Sequence, residues 1–279
     1  MAGYKAVILA IAKNEGPYLL EWIAFHLAIG FEHVFLYDNE STDDTAALLA
    51  LPGVARHVTV TPWRTVDGKA PQARAYADWL RRLGPQAEWV APLDLDEFVN
   101  LKRHDSIADF LADYPDAGAI GLNWRLFGDN GQRDQQPGLV IERFTAAAAA
   151  DFGPNHLGKA IIRVAEVEEI GIHTPRLRAG SRFVNPDHVA LKPLPAARQD
   201  VVSFGKAQVN HYFGKSWAEW ERKRSRGRAA VNADHAVAMR PDGHFHFHNR
   251  NDEIDDSILR FQPRAMAMLE QLRQPEAVG

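Results

Sequence analysis

Residues 89–98 run apolar from Trp89 to Leu93 and then break into Asp94-Leu95-Asp96-Glu97 before Phe98. Three carboxylates within four residues at the end of a buried strand repel one another, and desolvating them is costly unless a cation stands among them. Alternation along an extended chain predicts Asp94 and Asp96 on one side, as hard oxygen ligands for Mg2+ or Mn2+ with positions left open for phosphate oxygens. The chemistry to expect of such a pair is chemistry on a nucleotide diphosphate. A solvated acidic turn is the alternative for an isolated D-x-D.

The elements that must carry this tip alternate β-rich runs with amphipathic helices over residues 5–112, the pattern of βαβ units and a mainly parallel sheet. Residues 6–12 read as the first strand, and Leu20, Ile23, Ala24 and Leu27 at i, i+3, i+4, i+7 predict a helix that Gly30 ends. Residues 33–37 lead into Asp38, after which Ser41-Thr42-Asp43-Asp44 reads as a capping box opening a helix that stops at Pro52-Gly53. A strand over 58–63 precedes Asp67-Gly68-Lys69 and a helix over 71–83, closed by Gly84, with Gln72 and Arg74 in its first turn. Ligands of open α/β sheets bind beyond the carboxyl ends of the strands, so Asn14, Glu15, Asp38, Lys69, Gln72, Arg74, Asp94 and Asp96 are expected to converge. No G-x-G-x-x-G or complete G-x-x-x-x-G-K-[ST] loop occurs, which argues against a dinucleotide dehydrogenase and a P-loop phosphotransferase.

Beyond residue 113, strand-like runs at 119–126, 139–144 and 159–164, separated by Gly and Pro turns, predict a mixed or antiparallel half. Asn123, Trp124 and Asp129 lie on or after one of these runs, where a sugar could stack on the indole and meet a carboxylate; a core Trp124 is the alternative. Residues 207–209 lead to Asn210-His211-Tyr212, and Ser216-Trp217-Ala218-Glu219 is a capping box opening a helix with Arg222, Lys223, Arg224, Arg226 and Arg228. Lys215 or an early Arg beside that helix start would favour a diphosphate, while a solvated charged face is expected for most of the rest. His244, His246 and His248 alternate with Phe245 and Phe247; as an extended strand, with Asp252 nearby, they would suit a zinc hydrolase or an amphipathic edge strand. Ile254, Ile258, Phe261, Met266, Leu269 and Leu272 keep helical spacing divided by Pro263, for packing on the sheet or against a second copy.

Taken in order, Lys13-Asn14-Glu15, Tyr37-Asp38-Asn39 with Ser41-Thr42-Asp43-Asp44, Gln72 and Arg74, Leu93-Asp94-Leu95-Asp96-Glu97-Phe98 and Asn210-His211-Tyr212 resemble the GT-A glycosyltransferases of the family 2-like and family 92 groups, over about residues 5–230. The resemblance implies a GT-A-type α/β fold, with residues 1–279 as one domain: a nucleotide-binding half over 1–112 and an acceptor-side half with C-terminal helices over 113–279. It implies a nucleotide-sugar donor, UDP-linked by class frequency, and a carbohydrate or glycoconjugate acceptor. Asp38 would lie near the nucleoside, and Asp94 and Asp96 would hold Mn2+ or Mg2+ on the diphosphate with His211 as a further ligand. Such a metal neutralises charge on the departing nucleotide diphosphate. Lys159 and His173 are weaker candidates for the donor sugar or phosphate. An inverting transfer needs a carboxylate base; Asp129 is the choice, with Glu142 and Asp151 as competitors. A sugar-phosphate nucleotidylyltransferase and a non-catalytic nucleotide-sugar or glycan-binding module are the alternatives.

The bulk composition is compatible with this reading. The 279 residues are 46% apolar, carry a formal charge of −4 and contain no cysteine. Disulfides and thiolate chemistry are excluded, and nothing global attracts nucleic acid or anionic lipid. The run over 6–12 is too short for a membrane span and lacks a signal-peptide pattern, so a cytoplasmic location is the expectation.

Overall fold

A computed structural model of the chain describes residues 3–192, 198–227, 229–232 and 240–274. Arg228 of the basic run lies outside them.

Four parallel strands begin the sheet: β1 (Tyr4–Ala12), β2 (His33–Asp38), β3 (Val58–Pro62) and β4 (Ala87–Pro92), ordered β3-β2-β1-β4. β5 (Glu97–Leu101), β6 (Ala117–Leu126), β7 (Gly158–Arg163), β8 (Arg182–Val184) and β9 (Ala207–His211) continue the same sheet. Beyond β4 the order is β7-β6-β9-β5, with β7 antiparallel to both neighbours and β9 parallel to β6 but antiparallel to β5. This is the α/β class expected from the sequence, a mainly parallel half joined to a mixed one.

Alternation along β1 divides the core. Ala6, Ile8 and Ala10 face α1 (Gly16–Ala28), while Val7, Leu9 and Ile11 face Tyr76 and Trp79 of α2 (Pro71–Arg82). Gly30, at φ 99°, lets the chain turn out of α1 where a side chain would be strained. Pro263 opens α4 (Gln262–Arg273) rather than breaking it, because a proline in the first helical turn forfeits no hydrogen bond. Leu269 and Leu272 of α4 join the α1 side of the core. No helix among the described residues is long and apolar enough to cross a membrane.

Several local expectations are corrected. Ser41–Asp44 do not cap a long helix: Ser41 Oγ accepts from Asn14 N (3.0 Å) and an Asp43 oxygen from Gly16 N (2.9 Å), so the segment clamps the β1–α1 loop. The helix that follows is only Thr45–Leu49, and Pro52–Ala55 forms its own turn. Residues 139–144 contain the helical turn Val140–Arg143, not a strand, since Glu142 bonds back to Leu139 N (2.9 Å) and Glu21 accepts from Val140 N (2.8 Å). The three histidines lie on the helix Asp242–His248, where Phe245 packs at 5.0 Å on Trp217. Helical geometry places His244 and His248 on one face and His246 on another, stacked on Trp217, so the extended zinc strand does not exist.

His26 of α1 is wholly buried; it accepts from Val99 N at Nε2 (3.3 Å) and therefore donates from Nδ1 to Trp22 O (2.8 Å). Burial pushes its pKa down to about 3, so the neutral ring stabilises the fold fully above the unfolded value. That stability is lost as pH falls from about 6.5 towards 3, with an upper bound of about 5 kcal/mol. Urea titrations at pH 7 and pH 4 should show this loss, and His26→Gln should flatten it while lowering stability at pH 7.

Candidate active site

The carboxyl ends of β1, β2 and β4 open onto a cavity of about 520 Å³, whose far wall comes from the end of β9 and from α3 (Trp217–Ser225). Ser216 caps α3 by accepting from Glu219 N (3.4 Å), and that register turns Lys223 inward. Glu15, Gln72, Asp94, Asp96, Trp124, His173 and His211 all line this space.

Asp94 and Asp96 do not lie on an extended strand. The chain turns between β4 and β5, closed by Glu97 N donating to Asp94 O (3.0 Å). The turn sends the two carboxylates to different counter-ions. Asp94 accepts from Gln72 Nε2 (3.0 Å) on one oxygen and pairs with Lys159 Nζ (3.1 Å) on the other. Lys159 also meets Glu97 (3.4 Å) and donates to Ile172 O (3.1 Å). Asp96 pairs with Lys223, whose ammonium also donates to Phe213 O (2.6 Å) and lies 4.4 Å over the Phe213 ring.

These contacts set the charges. Burial alone would raise the pKa of Asp96, but Lys223 and His211 hold it well below the ordinary carboxylate range. Burial likewise opposes ionisation of Asp94, and Lys159 outweighs it. Burial pushes Glu97 up to about 8 despite Lys159, because Asp94 and Asp96 crowd it. Lys159 is raised because its carboxylates overcome its burial, whereas Lys223, facing one carboxylate and two other cations, is pushed down to about 8 by burial.

A divalent cation on Asp94, Asp96 and His211 would need their donor atoms to point at one spot. Asp96 and His211 Nε2 approach to 3.5 Å, but Asp94 is turned away to Gln72 and Lys159. Among the described residues no three His, Asp or Glu side chains form such a group. The residues as they stand do not fit the expected metal centre. The need for a cation was legible, and two buried ammonium groups meet it. His211 Nδ1, His173 Nδ1 and Trp124 Nε1 are buried with no partner among the described residues, and the rings lie together, with Trp124 4.3 Å from His211 and 5.2 Å from His173.

Other expected residues serve the cavity from behind or lie away from it. Asn14, at φ 53°, uses its carboxamide oxygen on Thr42 N (2.7 Å), and Asp38 accepts from Ser41 N (3.3 Å), so both shape loops while Asn39 and Glu40 face the cavity. Lys69 is exposed beside the lining Gly68. Arg74 donates to Arg64 O (2.7 Å) and stacks 5.0 Å from Trp63. Lys159 is buried behind Asp94, and Lys215 is buried with its ammonium 4.1 Å over Tyr18. Asp129 is corrected as a base: one oxygen accepts from Gly131 N (2.9 Å) and Asn251 (3.1 Å), the other from Asn249 (2.9 Å), in a loop that does not line the cavity. Glu142 is spent on Leu139 N and Gln262, and Asp151 is exposed elsewhere.

The model of Glycosyltransferase family 92 matches residues 12–242, across this sheet and cavity. The chain belongs to glycosyltransferase family 92. A family 92 protein of Oryza sativa subsp. japonica is 26% identical over 234 residues, 80% of this chain and 35% of that protein. One of Arabidopsis thaliana is 33% identical over 236 residues, 79% of this chain and 37% of that protein. The chain thus spans little more than a third of these relatives. Among solved structures, S. aureus TarS 1-349 in complex with UDP-GlcNAc is similar at 17% identity and a TM-score of 0.38, over 58% of this chain and 46% of that one. Glucosyl-3-phosphoglycerate synthase from Mycobacterium tuberculosis, in complex with Mn2+, UDP and glucosyl-3-phosphoglycerate, is similar at 17% identity and 0.31, over 44% and 45%.

In this family 92 chain the residues that sequence reasoning passed over are Lys223 and Arg226. Arg226 lines the cavity, donates to Asn14 O (2.8 Å) and pairs with Glu15. Their signal was periodicity: Glu219, Lys223 and Arg226 stand at i, i+4, i+7 on a helix already framed by its capping box, and so share its inward face.

Proposed function

We propose that this family 92 chain transfers a sugar from a nucleotide-diphosphate sugar, UDP-linked in the first instance, to a hydroxyl of a carbohydrate or glycoconjugate. One observation carries the reading: a single cavity at the strand ends combines fixed carboxylates with the inward ammonium of Lys223 and guanidinium of Arg226. Charge develops on the departing nucleotide diphosphate, and preorganised cations stabilise it without reorganisation. Gln72 and Lys159 hold Asp94 in place from behind. Trp124, His173 and His211 offer an aromatic wall with unsatisfied ring nitrogens, suited to the apolar face and hydroxyls of a sugar. With Asp129 spent in its loop, the inverting course expected from the sequence requires its base from another carboxylate facing the cavity, and the product anomer read by NMR reports the course.

The test is donor turnover. UDP- and GDP-sugars, with and without Mn2+, are offered with a glycan panel, and release of nucleoside diphosphate is followed. Asp96→Asn is expected to lower kcat about a hundredfold or more, the scale of losing a preorganised electrostatic group. Wild-type turnover in Asp96→Asn, or no binding of any nucleoside diphosphate, would remove the proposal.

A further inference from the structure

The aromatic rings of the cavity wall continue outward to the surface. Trp124, His211 and Phe213 line the cavity, and from Phe213 the series runs through His248 and Phe247 to Phe152, with successive ring centroids 4.3–5.6 Å apart. Burial falls along it, from His211 at 5% exposed to Phe247 at 55%. The helix Asp242–His248 does not need Phe247 for its packing, because Phe245 supplies the apolar contact to Trp217 and Trp220. The backbone beneath the outer rings is fixed. A Cβ at Gly214 would fall 2.9 Å from the Phe245 ring and one at Gly128 2.4 Å from Arg250 O, so this helix and the loop after it sit directly on the segments that follow β9 and β6. The knot of Asp129 with Asn249 and Asn251 belongs to the same seat, and it holds the loop that puts the Arg250 guanidinium 5.0 Å over the Phe152 ring. Arg250 pairs there with Asp252 (3.1 Å), the two side chains 42% and 31% exposed. His248 donates from Nδ1 to His244 O (2.7 Å), and burial pushes its pKa down to about 4, so the ring is neutral with Nε2 as its acceptor.

We propose that the row His248, Phe247 and Phe152, edged by Arg250 and Asp252, is an outer subsite for a β-linked pyranose chain, holding the sugars that precede the one that receives transfer. A single exposed phenylalanine needs no occupant. A row of rings that begins in the cavity and ends beside an exposed ion pair is a different arrangement. A pyranose lays its face of axial C–H groups on an aromatic ring and keeps its hydroxyls at the rim, where a guanidinium, a carboxylate and a neutral imidazole can meet them. A β-linked chain stays flat enough to cover successive rings, whereas an α-linked chain curls away from them. A second protein would need a far broader apolar patch than two phenylalanines edged by charge. Because the row joins the cavity at Phe213, a chain lying on it directs its terminal hydroxyl towards Trp124 and His211. The assignment rests on the cavity being the donor site proposed above, and it adds that the acceptor is a chain of sugars rather than one sugar.

The experiment is calorimetry, with UDP present, on the wild-type chain, Phe247→Ala and Phe247→Trp. The probes are β-1,4-linked glucose, galactose and N-acetylglucosamine oligomers of two to six sugars, with the α-1,4-linked glucose hexamer beside them. In the wild-type chain at least one β-linked series should gain about fivefold or more in affinity from dimer to hexamer, the scale of an added aromatic stacking contact. The α-linked hexamer should bind more weakly than the best β-linked one. Phe247→Ala should lose most of the gain with length, and Phe247→Trp, which keeps a ring, should restore it. In turnover the same loss should appear in the KM of the long acceptor and not in that of the donor. Affinity that does not grow with length in any β-linked series would overturn the subsite, and this wild-type measurement stands even where Phe247→Ala fails to fold. An equal gain with length in wild type and folded Phe247→Ala would overturn it too, as would a loss of self-association in that variant at unchanged glycan affinity, which would assign the row to a second copy. UDP that fails to bind in a separate titration would instead overturn the reading of the cavity, which separates the two claims.

Discussion

Lys159→Met should lower the stability of the fold by about 3–5 kcal/mol at pH 8, the scale of breaking a buried ion pair by removing one partner. Methionine fills nearly the same volume, so the cost is electrostatic rather than a cavity. The ammonium it removes is 1% exposed and satisfies Asp94, Glu97 and the Ile172 carbonyl at once. Glu97 suffers most: its side chain is wholly buried, and its Oε1 already lacks a partner among the described residues. Burial has pushed its pKa up to about 8, against an ordinary value of 4.5. A raised carboxylate favours the folded state while it is protonated, so that contribution is complete below about 4.5 and is lost as pH rises through about 8. Loss of Lys159 raises Glu97 further, and the variant should therefore lose stability more steeply than wild type between pH 6 and pH 9. Chemical unfolding at the two pH values checks both statements, and a loss below about 1 kcal/mol at each would show that the charges are solvated after all. Donor KM should rise in the same variant, because Asp94 would keep only Gln72 to orient it.

This arrangement shows why some of the site was readable and some was not. The strand tips of β1, β2 and β4 were legible because period-two burial and helix punctuation are local, and they locate the cavity through the rule that ligands gather beyond the strand ends. The demand of Asp94, Asp96 and Glu97 for a cation was legible from charge alone. The identity of that cation was not, because Lys159 and Lys223 reach the turn from strands and helices 65 and 127 residues away in sequence. Asp129 misled for the opposite reason. Its neighbours Asn249 and Asn251 close around it only through the C-terminal loop, and a carboxylate in a Gly-Asp-Asn-Gly turn reads the same whether it is free or consumed. The histidines misled because alternation fits a strand, while the burial of Phe245 against Trp217 and Trp220 is tertiary and chose a helix.

The Val140–Arg143 turn, misread as a strand, carries the other large effect. Arg143 reaches Glu219 with a two-pronged contact, Nη2–Oε2 at 2.5 Å and Nη1–Oε1 at 3.1 Å, with side chains 5% and 1% exposed. Glu219 also accepts from Tyr18 OH (3.0 Å) and Ser216 Oγ (2.6 Å), so one carboxylate ties the Val140–Arg143 turn to α1 and fixes the first turn of α3. Arg143→Met leaves that carboxylate buried without its main cation, and a loss of about 3–5 kcal/mol is expected, with Glu219→Gln falling in the same range. The double variant should lose at least about 2 kcal/mol less than the sum, since the second change removes the charge that the first left stranded. Losses that add would mean the pair is not coupled.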